Sequence, residues 1–176
     1  MNGAAKQAGF TLIELLIVVS IVAFLASLLF SRVLFYQEMA EKASMQQVVG
    51  ALQSALVLQM GHRMAAGTGA ELNNLVYENP MDWLAQKPGN YAGEFNRVQA
   101  NMAVSGQWMF DKSRHELIYL PDHAEYLQPA TDGNKWIRFH TRFVYGNSAG
   151  GKNMREFAGA IVSPVEPYRW LIREDK

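Results

Sequence analysis

The stretch that decides the fold lies near the start of the chain and reads KQAGFTLIELL at residues 6–16. It continues as an apolar run to residue 30, in which Ser20 and Ser27 are the only polar side chains after Glu14. From residue 10 the run has about 21 residues, or about 31 Å as an α-helix. This length matches the hydrocarbon core of a bilayer, which is about 30 Å thick. The run is therefore predicted to be a membrane-spanning helix.

Glu14 is the one ionisable side chain inside this run. A carboxylate deep in a membrane costs about 2.5–3.5 kcal/mol on insertion scales, so it needs a partner or a place near the interface. Within one helix, Thr11 and Glu14 have the spacing of a capping box, which satisfies N–H groups at the helix start without any neighbouring molecule. The helix dipole also favours a negative charge there.

Residues 9–15, GFTLIEL, resemble the class III signal of type IV pilins and type II secretion pseudopilins. In that family a prepilin peptidase cuts after the glycine and N-methylates the new first residue. The resemblance implies cleavage between Gly9 and Phe10 and N-methylation of Phe10. A secretory signal peptide is cut after its apolar region, whereas this junction precedes it, so the helix would stay in the mature protein. The resemblance covers about the first thirty residues.

For Glu14 the resemblance implies a second role, in which the carboxylate pairs with the Phe10 amine of a neighbouring subunit. This intermolecular pairing and the capping box stay open as alternatives, and both can operate at different stages. The implied partners are a prepilin peptidase, other pilin or pseudopilin subunits, the inner-membrane assembly platform and membrane lipid. The implied location is the bacterial inner membrane, with a single span and a periplasmic C-terminal domain, followed by the pilus or pseudopilus.

Helical character continues beyond the apolar run, because no proline occurs before Pro80 and residues 37–64 are rich in good helix formers. Apolar residues recur there at spacings of three and four and predict one buried face. The polar side chains Gln46, Gln53, His62 and Arg63 fall mostly elsewhere. The helix is predicted to end near Gly67. The members of the apolar face are Val48, Val49, Leu52, Leu56, Met60 and Met64.

Strand patterns occupy the C-terminal half of the chain. Residues 107–111 and 116–120 predict a hairpin with a four-residue connection. Residues 136–145 alternate strictly, and residues 157–162 and 168–173 complete the predicted strands. Residues 67–105 are the least regular part, with a short helical turn predicted at 81–86. The predicted fold is α+β and pilin-like, with a long N-terminal helix packed on a C-terminal antiparallel sheet.

The predicted organisation is a leader at residues 1–9, a membrane-spanning or filament-core half of the helix at 10–36 and an amphipathic half at 37–66. Residues 67–176 form a variable loop and the sheet, in one globular domain with 37–66. The chain has no cysteine, so no disulfide can hold its C-terminal segment. Packing, hydrogen bonds or an ion must do so instead.

Other sites have weaker support. The four histidines, His62, His115, His123 and His140, lack the spacing of metal ligands, so no metal site or cofactor is predicted from them. Oxygen donors that leave calcium binding open are Asp122, Glu125, Asp132 and Asn134, although they lack the regular alternation of an EF-hand loop.

These patterns bear on four classes of function. No nucleophile elbow, phosphate loop or dinucleotide fingerprint is present, so an enzyme is not expected. Acidic and basic residues balance at sixteen each, which argues against nucleic acid. The strand positions Trp136, Arg138, His140 and Arg142 form a basic, aromatic face that favours a neighbouring subunit instead. The leading hypothesis is a structural subunit of a filament; the alternative is a non-polymerising single-span protein with an outer ligand- or partner-binding domain.

Overall fold

The computed structural model describes residues 10–100, 102–147 and 155–171. One long helix, α1 (Leu12–Ala65), precedes two short 3₁₀ helices at Gly69–Val76 and Pro80–Trp83. Five strands follow, so the predicted α+β, pilin-like arrangement is confirmed. They are β1 (Tyr91–Phe95), β2 (Gln107–Asp111), β3 (Glu116–Leu120), β4 (Ile137–Asn147) and β5 (Arg155–Pro164).

The chain divides into two compact units, Met1–Gln37 and Glu38–Lys176. The N-terminal unit consists, in its described part, of the start of α1. The second unit contains the rest of α1 and the whole sheet. The strand order is β1-β2-β3-β4-β5, with antiparallel pairing from β2 to β5.

Strand β1 corrects the prediction of a purely antiparallel sheet, because it pairs parallel to β2. Its sequence, YAGEF, places Ala, Gly and Glu in the strand, and these residue types are poor β-formers. Gly93 has φ of 110°, which a side chain would strain. The pairing with β2, and not local propensity, therefore makes this segment a strand.

The predicted hairpin is confirmed with its full register, from Gln107 opposite Leu120 to Asp111 opposite Glu116. Its connection begins at the buried carboxylate of Asp111, which accepts hydrogen bonds from the Ser113 and Arg114 N–H groups at 2.9 and 3.1 Å. The Ser113 hydroxyl donates a third at 2.8 Å. This Asx-type turn explains why a polar four-residue link folds back so tightly.

Asp111 also joins the hairpin to the preceding loop, since its Oδ2 accepts from the Val98 N–H at 3.0 Å. Burial alone would raise the pKa of this carboxyl, but the hydrogen bonds from Val98, Ser113 and Arg114 outweigh burial and lower the pKa. Asp111 is therefore a charged group that the fold needs in its ionised form.

The main core lies between α1 and one face of the sheet. Leu52 and Leu56 of the helix are fully buried there, as the predicted apolar face requires. Met64 is wrongly predicted, since it is 51% exposed near the end of the helix. The sheet supplies the alternating residues of its strands to this core: Trp108, Phe110, Leu117, Tyr119, Ile137, Phe139, Ala160 and Val162.

A last strand was predicted at residues 168–173, and this is wrong for the described part. Residues 168–171 form a single bridge, between Trp170 and Leu127, outside the sheet. This segment bonds to residues 126–128 instead, through the Leu171 N–H to the Tyr126 carbonyl at 3.3 Å and the Gln128 N–H to the Arg169 carbonyl at 2.9 Å. Residues 172 and 173 lie outside the described residues.

Candidate assembly helix

The N-terminal unit presents apolar side chains to its surroundings. Every side chain from residue 10 to residue 30 is exposed, and the exposed fraction is 75% at Phe10 and 85% at Leu12. Leaving a large apolar side chain in water costs about 1.5–3 kcal/mol relative to burying it. This surface therefore requires lipid or other protein around it.

Among the described residues, α1 is the one helix that is long and apolar enough to cross a membrane, and its most apolar window is entirely unburied. Ser20 does not interrupt this character, because its hydroxyl donates to the Leu16 carbonyl at 2.8 Å, as its place in the run predicts. The helix backbone thus satisfies the Ser20 hydroxyl within the apolar run.

The start of the helix is capped by Thr11. Its Oγ1 accepts from the backbone N–H of Glu14 at 3.3 Å, which is half of the predicted capping box. The Glu14 carboxylate is exposed and has no hydrogen-bond or ion-pair partner among the described residues. Gly9 lies outside the described residues, so the predicted cleavage between Gly9 and Phe10 stays a prediction.

In the second unit, two further carboxylates of α1 behave in the opposite way. Glu38 is only 3% exposed. Its side chain accepts from the Glu125 N–H at 3.3 Å, the Tyr126 N–H at 3.0 Å and the Trp170 indole N–H at 2.7 Å. Three donors on one carboxylate offset the cost of burying a charge.

Glu41 lies one turn further along the helix and accepts four hydrogen bonds. The Tyr119 hydroxyl donates at 2.8 Å, and the backbone N–H groups of Asp122 and His123 donate at 2.6 and 2.8 Å. The His123 ring lies 3.2 Å from the same carboxylate. Burial and the bond to Glu41 raise the pKa of Tyr119. We call Glu38 and Glu41 together the carboxylate clamp.

The carboxylate clamp also holds the C-terminal segment, where the lack of cysteine predicts packing, hydrogen bonds or an ion. Trp170 is 3% exposed and bonds to Glu38 through its indole. The Lys42 ammonium donates to the Trp170 carbonyl at 2.7 Å. The Gln128 N–H donates to the Arg169 carbonyl at 2.9 Å. Packing and hydrogen bonds therefore fasten this segment to the helix.

Sequence reasoning missed the clamp, although one pattern pointed to it. Glu38 and Glu41 are spaced by three residues, so they share a helix face with Met45, which is also buried. Acidic residues in line with a buried face indicate polar contacts to another segment. Their donors, in residues 119–126 and at Trp170, cannot be identified from the helix sequence.

The described residues contain no group of three or more histidine, cysteine or acidic side chains placed to hold a metal ion. His123 faces Glu41, and His115 lies 3.0 Å from the Tyr77 carbonyl. The Asp132 carboxylate accepts from the Asn134 N–H and the Trp136 indole N–H. These contacts give both histidines and Asp132 partners within the chain.

The prediction of an exposed basic, aromatic face on the sheet is wrong for Trp136 and Arg138. Trp136 is 6% exposed and packs with Val98 and Ile118. Arg138 forms ion pairs with Glu166 at 2.8 Å and with Glu116 at 3.6 Å. Hydrogen bonds from Thr131 and from Arg138 lower the pKa of Glu166 to about 2.

The outer part of that face differs in burial. Arg142 is exposed, and His140 is half-buried. Burial and the neighbouring Arg142 lower the pKa of His140, which favours the neutral imidazole. Trp136 and Arg138 are thus inner side chains of this face, and the charge of Arg138 is paired with acidic residues.

Comparison with known proteins connects the exposed helix to a family. Residues 4–30 match a family model described as the prokaryotic N-terminal methylation motif. The comparisons with curated proteins and with solved structures return no match. The matched residues include the predicted cleavage junction, Glu14 and the apolar run. Residues 4–30 are therefore similar to this methylation motif, which supports the resemblance of the start of the chain to the class III signal of type IV pilins and pseudopilins.

Proposed function

We propose that this protein is a structural subunit of a type IV pilus or a type II secretion pseudopilus. In this proposal it is a minor pilin or pseudopilin, or else a major pilin, and not an enzyme. A prepilin peptidase removes residues 1–9 after Gly9 and N-methylates Phe10. The subunit waits in the inner membrane with its sheet domain in the periplasm, and an assembly platform then moves it into the filament.

One observation carries this proposal: the apolar side chains from residue 10 to residue 30 are all exposed, within a helix that also carries the methylation motif. Lipid covers such a surface while the subunit is stored in the membrane. In a filament, the same surface on copies of similar helices covers it instead. Residues 10–36 would then form the filament core.

Glu14 supports the intermolecular role over a purely local one. Thr11 supplies the observed cap, and the Glu14 carboxylate has no partner among the described residues. Cleavage after Gly9 would create a cationic amine at Phe10, about one helical turn away. Both charges are costly in lipid. Pairing the carboxylate with the amine of a neighbouring subunit would offset both costs and set the register of assembly.

Co-expression with a prepilin peptidase and its assembly machinery tests this proposal. The unaltered chain should lose residues 1–9, and Gly9→Val should block the loss because the junction no longer has its glycine. Glu14→Ala should still insert in the membrane but should not enter sheared filaments. Glu71→Ala, at an exposed site of the second unit, is the control and should enter them normally.

Two results would contradict the proposal. An unprocessed chain that stays solitary in the membrane would favour a single-span protein with an outer binding domain. Normal incorporation of Glu14→Ala would remove the intermolecular role from Glu14.

A further inference from the structure

Strand β5 lies at one end of the sheet order, so one of its sides has no neighbouring strand among the described residues. The strand spans Arg155–Pro164 and is one of the two longest in the sheet. A strand of this length with one unpaired edge is a template for pairing with another chain. The atoms that meet this edge therefore decide whether the sheet can associate.

Gln53 of α1 meets the middle of this edge with both ends of its carboxamide. Its Nε2 donates to the Ala160 carbonyl at 3.2 Å, and its Oε1 accepts from the Val162 N–H at 2.8 Å. A carbonyl and the N–H two residues later are the pair that one residue of a parallel neighbouring strand would bond. The side chain of Gln53 thus takes the place of one residue of a sixth strand.

The helix also covers this part of the edge. Ala160 and Val162 are only 5% and 8% exposed, and Leu52, beside Gln53 in the helix, is fully buried. A second copy could reach these groups only after the helix moved away locally. The two bonds from Gln53 add directly to the cost of that opening.

The rest of β5 carries two further features that discourage pairing. Pro164 ends the strand and has no N–H to offer. The register with β4 shifts between Val144 and Tyr145, which pair with Gly159 and Phe157. Strand β5 therefore has a bulge just before Gly159. Prolines and bulges are known devices against edge-to-edge association.

We propose that Gln53 is a sheet-edge cap, which closes β5 to strand addition by a second copy of this chain. Resting on the proposed function, the cap has a consequence for assembly: copies associate through their apolar helices and not through their sheets. The predicted apolar face of α1 left Gln53 outside the packed surface, whereas the structure makes it the polar contact between helix and strand.

Hydrogen exchange of the full chain in detergent micelles tests the cap. Gln53→Met keeps the length of the side chain and loses both hydrogen bonds, so the Val162 amide should exchange about tenfold faster. Gln46→Met, at an exposed position of the same helix, is the control and should leave that amide unchanged. Tryptophan fluorescence verifies that both variants are folded. Unchanged exchange at Val162 in the folded Gln53→Met variant would overturn the proposal.

Disulfide trapping tests the exclusion of a second copy, and the cysteine-free chain gives it no background. Two β5 edges related by a two-fold axis near residue 161 would bring Ile161→Cys next to its own copy. Under slow oxidation, the linked dimer should form about tenfold faster with Gln53→Met than with Gln46→Met. Equal rates would overturn the cap. Neither assay depends on leader cleavage or on filaments. A negative result would therefore reject the sheet-edge cap and leave the proposed function untouched.

Discussion

The two parts of α1 follow one backbone pattern and have opposite surroundings. Before Glu38 the helix exposes large apolar side chains, and the Glu14 carboxylate has no hydrogen-bond or ion-pair partner among the described residues. From Glu38 onward it buries leucines and surrounds its carboxylates with donors. We therefore expect the first part to depend on partners outside the chain, whereas the second part packs against the sheet.

Because the two parts of the helix differ in this way, a measurement of stability can be confined to the second unit. All four tryptophans, Trp83, Trp108, Trp136 and Trp170, lie in the second unit. Urea unfolding followed by tryptophan fluorescence in detergent micelles therefore reports the free energy of unfolding of that unit. Changes before Glu38 should be silent in this measurement and visible in filament incorporation.

The largest effect is expected from the carboxylate clamp. Glu38→Ala leaves three N–H donors without their acceptor, among them the buried Trp170 indole, so it should lower the unfolding free energy by about 4 kcal/mol. Glu14→Ala should leave the unfolding free energy unchanged. If both variants unfolded at the same urea concentration, the distinction between the two carboxylates would be wrong.

A matched pair of leucines sharpens the comparison next. Leu52 is 0% exposed, and Leu52→Ala should cost about 3 kcal/mol of unfolding free energy through the cavity it leaves. Leu16 is 63% exposed, and Leu16→Ala should cost nothing in the same measurement while it weakens filament incorporation. Loss of stability in Leu16→Ala would show that the first part of the helix is packed within the chain.

Acid should act on the second unit through Asp111. Its pKa is lowered in the folded chain, so its contribution to stability is complete above the ordinary aspartate pKa of about 3.9. The contribution is lost as the pH falls from there through the lowered value. Unfolding free energies of wild type and Asp111→Asn should therefore converge over the acid range below about pH 4. A constant difference across that range would contradict this role.

The smallest effect concerns Gly50, an exposed glycine inside the helix with open space around its Cα. Gly50→Ala should raise the unfolding free energy by about 0.5–1 kcal/mol, because alanine loses less backbone entropy. Gly61→Ala has equally open surroundings and serves as a comparison. Destabilisation by Gly50→Ala would mean that a contact at this face needs the glycine.

Local patterns were sufficient for the helix and for the β2–β3 hairpin. The helix follows from good helix formers and a late first proline, and the hairpin follows from alternation around a polar link with Asp111 at its start. The pattern did not extend to β1, whose residues are weak β-formers held by β2. The pattern also predicted a strand at residues 168–171, because an apolar run does not show whether a strand of the sheet will pair with it.

The methylation motif at the start of the chain could be predicted from the sequence, because the signal at residues 9–15 is short and contiguous. The contacts of the carboxylate clamp and of Gln53 could not be predicted in the same way. Each depends on donors or acceptors more than 70 residues away in the sequence, from Tyr119 to Trp170. Residue type and helix position show that such side chains are polar, but only the fold brings their partners to them.

The most direct test of the account is mass spectrometry of the mature protein isolated from filaments of its native host. We expect a chain that begins at Phe10, carries one added methyl group on its amine and is recovered together with other subunits of the filament. A mature chain that still begins with residues 1–9 and is found only as a solitary membrane protein would contradict it.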